Sequence, residues 1–243
     1  MTSRDRADRL LVARGVFESR ARAQAAIAAG RVTADGSIVR KASEEISSTA
    51  VIAAEPEHPY VSRGGLKLAA ALEHFSLNVA GRICLDVGAS TGGFTEVLLA
   101  RGAQLIYAVD VGRDQLHPRL RAHERILSLE QTDIRKLDPA RLPAPADFGA
   151  ADVSFISLKL ILPHLSRLLT SHAAMIALIK PQFEAERRNI KKGIVRDGAV
   201  HAAICDDIAT FITKLGWQPR RLMPSPILGS DGNREFFIEA SRD

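Results

Sequence analysis

The segment DVGASTGGFTEVLL, residues 86–99, constrains the fold more than any other part of the chain. A short apolar strand runs into a glycine-rich turn, and a helical pattern of apolar residues follows directly. Three later strands end at Asp110, Asp133 and Asp152, separated by about one strand-plus-helix unit each. This alternation predicts an α/β fold, in which a mostly parallel sheet carries helices on both faces.

The C-terminal part of the chain predicts how this sheet ends. Residues 158–169 predict a helix, the apolar run AAMIALIK predicts a buried strand, and residues 199–215 predict a second helix. Two β-prone segments then follow with no helix between them, WQPRRLMPSP and REFFIEA. We therefore expect a closing hairpin and an antiparallel last strand in an otherwise Rossmann-like sheet.

The first 59 residues predict a separate small α+β domain. Two short helices are expected over residues 5–14 and 20–29, followed by a hairpin around Asp35-Gly36 and a β-segment that ends near residue 54. The stretch EPEHP, residues 55–59, has the composition of an exposed linker. The predicted domains are residues 1–59 and 60–243.

The net charge of the chain is concentrated in this small domain. Residues 1–41 contain nine Lys or Arg and four Asp or Glu, whereas residues 42–243 contain 24 of each sign. A basic appendage of this kind is typical of nucleic-acid binding. A solvated helix face that happens to be basic is the alternative.

The strand ends predict a nucleotide-cofactor site. Glycines after the first strand allow close approach to a ligand, and Asp110 could accept hydrogen bonds from both ribose hydroxyls. Asp133 could accept from an adenine amino group and Asp86 could support the ammonium; the alternative for each acid is a capping or solvent-facing carboxylate. The chain lacks G-x-G-x-x-G and G-K-[ST] at this turn, so S-adenosylmethionine fits better than NAD. The predicted cofactor-binding residues are Asp86, Gly88, Ser90, Gly92, Gly93, Phe94, Asp110 and Asp133.

Four charged residues are expected at the rim of this site, two lysines and two acids. They are Lys67, Asp152, Lys180 and Glu235. Methyl transfer to a hydroxyl needs the acceptor oxygen to be positioned and its proton removed, and lysines beside carboxylates can do both. Each of the four taken singly could also be an ordinary surface charge. Lys180 is the hardest to explain in that way, because it ends a buried strand at the cofactor edge.

Five ordered motifs resemble one known family, namely SRGGLKL, DVGASTGGFT, ADVSFISL, LIKPQFE and GNREFF. They are similar to TlyA-type rRNA methyltransferases, historically called haemolysins, whose catalytic domain is similar to FtsJ-type 2′-O-ribose methyltransferases. The resemblance implies methylation of cytidine in ribosomal RNA and a Lys-Asp-Lys-Glu tetrad at Lys67, Asp152, Lys180 and Glu235. Thr91 departs from the proline common in FtsJ-like enzymes. The end of the chain soon after NREFFIEA favours the class associated with the large subunit, and the small subunit stays possible.

The segment ESRARAQAAIAAGRVTADG, residues 18–36, resembles the small RNA-binding module first described in the fourth ribosomal protein of the small subunit. The resemblance implies phosphate contacts by Arg20, Arg22 and Arg31. The alternative is an alanine-rich pair of helices that only packs.

Other features limit the remaining function classes. The chain has no apolar run of the ~18 residues that cross a bilayer and no signal-peptide pattern, so we expect a cytoplasmic protein without membrane contact. Two cysteines and scattered histidines predict neither a disulfide nor a metal site. The expected partner is ribosomal RNA or a ribosomal subunit, with no obligate protein partner evident. A membrane-active haemolysin and a non-catalytic RNA-binding protein are the competing interpretations.

Overall fold

The computed structural model describes residues 3–55 and 58–242. Contacts between Cα atoms divide the chain into two compact units, Met1–Pro59 and Tyr60–Asp243. Each unit has its own hydrophobic core, so each is described separately below.

The N-terminal unit combines two helices with short strands. In chain order these are β1 (Arg4–Arg6), α1 (Ala7–Ala13), α2 (Arg20–Ala28), β2 (Val32–Ala34), β3 (Ser37–Ile38), β4 (Glu45–Ser47) and β5 (Ile52–Ala54). One antiparallel sheet has the order β3-β2-β5, and β1 pairs with β4. The two helices pack around a core that includes the buried residues Leu11, Phe17 and Ile27.

The first helix is shorter than the sequence predicts. It begins at Ala7 instead of Asp5, because Arg4 to Arg6 pair with β4 in an antiparallel ladder. The pairing partner EIS lies some forty residues later, and its three residues are too few to show an alternating pattern in the sequence.

The C-terminal unit is an α/β sandwich. Its elements are α3 (Arg63–His74), β6 (Ile83–Val87), α4 (Gly93–Ala100), β7 (Leu105–Val109), α5 (Pro118–Arg121), β8 (Ile126–Leu129), β9 (Ala146–Ala151), α6 (Leu162–Arg167), β10 (Leu169–Ile179), α7 (Pro181–Glu184), α8 (Gly198–Lys214), β11 (Gln218–Pro224) and β12 (Phe236–Arg242). The seven strands have the order β11-β12-β10-β9-β6-β7-β8. Within this sheet β12 runs antiparallel to both of its neighbours, β10 and β11, whereas the pairs from β10 through β9, β6 and β7 to β8 are parallel. The predicted mostly parallel sheet with an antiparallel last strand is therefore confirmed.

Two apolar layers cover the faces of this sheet. On one face α3 and α4 pack through Leu72 and Leu98, and on the other α6 and α8 pack through Leu165 and Ile208. The helix predicted over residues 158–169 is split into a 3-10 turn, Leu158–Leu160, and α6. Pro163 explains the break, since it has no N–H to donate to the preceding turn and is accepted only in the first turn of a helix.

The strand order indicates where along this sheet a ligand would bind. Successive strands proceed outward from β6 through β7 to β8 on one side, and from β9 to β10 on the other. The order of the strands thus reverses between β6 and β9, where open α/β sheets bind their ligands at the carboxyl ends of the strands. Those ends are Val87 and Ala151.

Candidate active site

The turn after β6 is shaped by close backbone contacts. Gly88 has φ +84°, and a Cβ there would lie 2.3 Å from the carbonyl oxygen of Asp152. A Cβ at Gly93 would lie 2.2 Å from Ser62 Oγ and 2.9 Å from the backbone nitrogen of Gly65, at the start of α3. Glycine is thus required at both places, because any side chain would push the turn away from β9 or from α3.

A cavity of about 530 Å³ opens beside this turn, within the size range of small-molecule sites. Asp110 lies on its wall in a fixed orientation. Its Oδ2 accepts from the Ser90 N–H at 2.8 Å and its Oδ1 accepts from the Gly112 N–H at 2.7 Å. Each oxygen keeps a second lone pair, so the carboxylate can also accept from a ligand's hydroxyls. Exposed Val111 adds an apolar wall beside it.

Asp86 lies in β6 one residue before Val87 of the cavity wall, is completely buried, and lines neither of the two cavities described here. Thr95 Oγ1 donates to its Oδ2 at 2.6 Å, whereas Oδ1 has no hydrogen-bond partner among the described residues. Burial raises the pKa of this carboxyl to about 7. A buried acceptor without a donor is costly, which is the condition that a nearby cation or donor would relieve.

Asp133 also lines the cavity, but it does not end a strand as the sequence predicts, because β8 stops at Leu129 and Asp133 caps a 3-10 turn four residues later. Its carboxylate is already engaged. Arg135 Nη2 donates to Oδ2 at 2.7 Å, and the Arg135 backbone N–H donates to Oδ1 at 2.9 Å. The Arg135 guanidinium lowers the pKa of Asp133 to about 2. The structure therefore contains the capping interaction that the sequence left open, and only the remaining lone pairs could accept from an adenine amino group.

The other predicted cofactor residues divide between two cavities. Ser90 lines both the first cavity and a second one of about 470 Å³, while Gly93 and Phe94 line the second. Phe94 is 3% exposed and packs against Phe237, with ring centroids 6.1 Å apart. Gly92 is buried against Leu120, so its role is to shape the turn.

The four predicted rim residues form two ion pairs. Lys67 Nζ lies 2.5 Å from Glu235 Oε2, with side-chain exposures of 10% and 3%. Lys180 Nζ lies 2.6 Å from Asp152 Oδ1 and donates to Ser154 Oγ at 2.8 Å. Lys67, Asp152 and Lys180 line the second cavity, which shares Gly88, Ser90, Asp152 and Ser154 with the first.

The elements that carry these residues explain why they meet. Lys67 lies on α3, which Gly93 brings close to the turn, and Glu235 directly precedes β12, the neighbour of β10. Asp152 and Lys180 directly follow β9 and β10, which are paired in parallel. Two lysine–carboxylate pairs at one cavity can orient an acceptor oxygen and carry away its proton.

Phe155 is a feature of this site that the sequence reasoning missed. It lines the first cavity, has φ +64° and is 91% exposed, although it lies in the apolar run VSFISL. Its ring packs against that of Phe183 at an interplanar angle of 48°, with centroids 5.1 Å apart. An aromatic ring held in solvent at a ligand cavity indicates a binding surface, since burial in the core would be the more stable alternative.

The predicted RNA-contact arginines lie in the N-terminal unit. Arg20 pairs with Asp8 at 2.8 Å, and Asp8 is completely buried at the start of α1. Hydrogen bonds from Arg6, with further ones from Arg20 and Gln24, hold the pKa of Asp8 well below its usual range. Arg20 therefore ties α2 to α1 and is not available as a simple surface charge. Arg22 lies half-buried on α2, and Arg31 is exposed just before β2.

Comparison with known proteins decides the family. A family model described as FtsJ-like methyltransferase matches residues 60–242, and one described as S4 domain matches residues 5–52. The chain is 42% identical to the 16S/23S rRNA (cytidine-2′-O)-methyltransferase TlyA of Mycobacterium tuberculosis over 241 residues, which cover 98% of this chain and 90% of the relative. The chain belongs to the TlyA-type FtsJ-like methyltransferases.

A second relative and a solved structure agree with this. The 23S rRNA (cytidine-2′-O)-methyltransferase TlyA of Campylobacter jejuni is 38% identical over 180 residues, covering 73% of this chain and 69% of that protein. A solved structure described as a hemolysin from Streptococcus thermophilus is 41% identical, with a TM-score of 0.79 over 100% of this chain and 90% of the other. The TlyA-type resemblance found in the sequence is thus confirmed.

Neither a metal-binding cluster nor a membrane-spanning helix is present among the described residues. Within residues 3–55 and 58–242, no group of three or more His, Cys, Asp or Glu side chains could hold a metal ion. In the same part of the chain, no helix is both long enough and apolar enough to cross a membrane.

Proposed function

We propose that this TlyA-type protein transfers the methyl group of S-adenosylmethionine to the 2′-oxygen of a cytidine in ribosomal RNA. The observation that carries the proposal is the pair of buried or half-buried lysine–carboxylate contacts at a cavity contiguous with the Asp110 cavity. The names of the Mycobacterium and Campylobacter relatives supply the nucleotide and the RNA. Both names include 23S rRNA, so the large subunit is the first substrate to test and the small subunit the second.

The residues around the first cavity suit S-adenosylmethionine. Asp110 would hold the ribose hydroxyls with its two remaining lone pairs, and the apolar side chains of Val111 and Val153 would flank the adenine. The unpartnered oxygen of buried Asp86 would give the ammonium a compensating negative charge nearby. When bound, the cofactor supplies an electrophilic methyl group on a sulfonium.

The rim residues would act on the acceptor. Lys180 would donate to the 2′-oxygen and orient it, while Asp152 fixes the ammonium from the opposite side. As the oxygen–carbon bond forms and the carbon–sulfur bond breaks, the hydroxyl proton would pass to the Lys180–Asp152 pair and on to solvent. The Lys67–Glu235 pair adds a fixed local charge distribution at the same cavity.

The N-terminal unit would bind the RNA away from the reacting ribose. Its match to the S4 domain and its excess of basic residues support this role. Arg20, Arg22 and Arg31 would supply the phosphate contacts, with Arg20 held in place by its ion pair with Asp8. We propose that the protein works in the cytoplasm on rRNA or a ribosomal subunit, with no obligate protein partner.

The Lys180→Ala variant tests the chemistry. We expect methyl transfer to fall at least ~100-fold, as for loss of a proton-transfer group, with S-adenosylmethionine affinity changed less than twofold. Incorporation of a labelled methyl group into rRNA measures the first, and calorimetry the second. Lys214→Ala is the matched control, because Lys214 is exposed in the last turn of α8. Substantial turnover by Lys180→Ala would remove Lys180 from the catalytic group.

The hemolysin description of the Streptococcus structure defines a second candidate function. Lysis of erythrocytes by the purified protein, retained in Lys180→Ala, would favour a membrane activity. A non-catalytic RNA-binding protein predicts RNA affinity without any S-adenosylmethionine binding. Ribose-methylation mapping of rRNA from cells with and without the protein separates both from the proposed reaction.

A further inference from the structure

A basic hairpin lies beside the catalytic rim and is not used by the proposed chemistry. The segment called the hairpin here spans residues 187–196, starting with a 3-10 turn (Arg187–Asn189) and closing through a bridge between Lys191 and Ile194. It carries five exposed cations, namely Arg187, Arg188, Lys191, Lys192 and Arg196. Arg188 pairs with Glu186 at 2.9 Å, and Asp197 caps α8. Within residues 3–55 and 58–242, no ion pair involves Lys191, Lys192 or Arg196. Residues 42–243 are balanced in charge, so this is a local excess of positive charge.

The hairpin is built as a tight turn. The Lys191 N–H donates to the Ile194 carbonyl at 3.0 Å, and the Ile194 N–H donates back at 3.1 Å. Lys192 and Gly193 have φ values of +52° and +79°, which is the backbone of a type I′ turn. Asn-Gly is the common pair at such a turn, so a lysine here accepts backbone strain to place its charge at the tip.

A single buried residue joins the hairpin to the catalytic rim. Asn233 is 0% exposed. Its Nδ2 donates to the Gly193 carbonyl at 2.9 Å, and its Oδ1 accepts from the Val195 N–H at 3.1 Å. Asn233 precedes Glu235 by two residues, so both hairpin and Glu235 are fixed by the same segment. A surface held in this way loses little entropy when it binds.

A cavity of about 260 Å³ lies between the hairpin and the segment that leads to Glu235. Arg196 and Arg234 are its cationic walls, and Ile194 and Leu228 are its apolar ones. Two guanidinium groups beside an apolar wall match a phosphate with its attached sugar, because guanidinium binds phosphate oxygens in pairs.

We propose that the basic hairpin and the Arg196–Arg234 cavity bind the phosphate backbone of the RNA next to the target nucleotide. The inference rests on the proposed function for the identity of the RNA. The surface carries lysines at its tip and arginines at its cavity, and it borders the cavity of Lys67 and Lys180 through Asn233 and Glu235. Phosphate contacts on a surface that borders this cavity would set which ribose reaches the rim.

The Lys191→Gln/Lys192→Gln variant tests this surface, with Arg101→Gln/Lys214→Gln as a control of equal charge change. Arg101 and Lys214 are exposed at the ends of α4 and α8. We expect the hairpin variant to bind an unmodified 23S transcript about tenfold more weakly in moderate salt, and to reduce the slope of log K against log salt by about 1.4 to 1.8 for two lost contacts. The affinity for S-adenosylmethionine should stay within twofold of wild type.

Three other results would refute either the phosphate surface or the proposed function. Equal RNA affinity and salt slope in the hairpin and control variants would refute the phosphate surface. A binding defect with intact ribosomal subunits but not with naked transcript would mean that the hairpin contacts a ribosomal protein. That result would also refute the phosphate surface. Wild-type protein that binds the transcript without methylating transcript or subunits would refute the proposed function, while the binding comparison would still decide the role of the hairpin.

Discussion

The Lys67–Glu235 pair yields the sharpest test of how this site is built. The ammonium and carboxylate are 2.5 Å apart, and both side chains are at least 90% buried. At an effective dielectric constant of 20, such a contact contributes more than ~4 kcal/mol of attraction, most of which offsets the loss of hydration. Removing one partner leaves the other charge buried without compensation.

We therefore expect Lys67→Met and Glu235→Gln each to lower the free energy of unfolding by about 3 kcal/mol, the low end of the range for broken buried pairs. The double variant should lose about as much as either single one, a coupling energy of about 3 kcal/mol. Urea titration followed by fluorescence measures this, because the single tryptophan, Trp217, is 1% exposed in the core of the C-terminal unit. All three variants should be inactive in methyl transfer. Strictly additive losses in the double variant would show that the pair is not an energetic unit.

Three further predictions follow from single contacts. Asp110→Asn should weaken S-adenosylmethionine binding about 5- to 150-fold by calorimetry, because both Asp110 oxygens accept backbone N–H groups and an amide can satisfy only one; unchanged affinity would exclude Asp110 from the site. Phe155→Ala should change the free energy of unfolding by no more than about 0.5 kcal/mol, since the ring is 91% exposed. If the ring stacks on a base, the same variant should lower kcat/KM for RNA methylation by the equivalent of about 1–3 kcal/mol. A kcat/KM equal to that of the wild type would refute stacking. Asp86 has its pKa raised to about 7 in the folded protein, so folding binds a proton between about pH 4 and pH 7 and stability falls as pH rises through this range. In urea titrations without cofactor, the free energy of unfolding of the wild type should fall by up to roughly 4 kcal/mol across that interval relative to that of Asp86→Asn. If the difference between the two proteins did not change with pH, the assignment of Asp86 as a buried acid would be contradicted.

The sequence predicts the sheet well because its signals are local. The apolar strands, the glycine turn and the acidic residue after each strand follow from periodicity and turn chemistry within a few residues. The strand β1 was missed because three residues that pair with a distant segment leave no periodic trace. The break at Pro163 was likewise missed, since Leu158, Leu162 and Leu165 recur at helical spacing across it.

The site was harder to predict where it depends on tertiary contacts. The sequence predicts four charged residues near one edge of the sheet, but nothing in it pairs Lys67 with Glu235 instead of with Asp152. Phe155 resembles a core residue in its sequence context, and its exposure arises from the left-handed backbone at that position. Asp133 and Arg20 show the opposite effect, because neighbouring charges engage side chains that the sequence suggested for ligands.

The cofactor turn and the catalytic rim share one piece of backbone, and this has a chemical consequence. The Asp152 N–H donates to the Val87 carbonyl at 2.9 Å, and the Asp152 carbonyl lies where a side chain on Gly88 would have to be. The segment that shapes the cofactor cavity is therefore in direct contact with the residue that fixes Lys180. In-line transfer gains most of its rate from holding donor and acceptor in one geometry, and displacements near 1 Å are costly. Because the two halves are joined through strand ends, we propose that the register of β6 against β9 sets the distance between the methyl group and the acceptor oxygen.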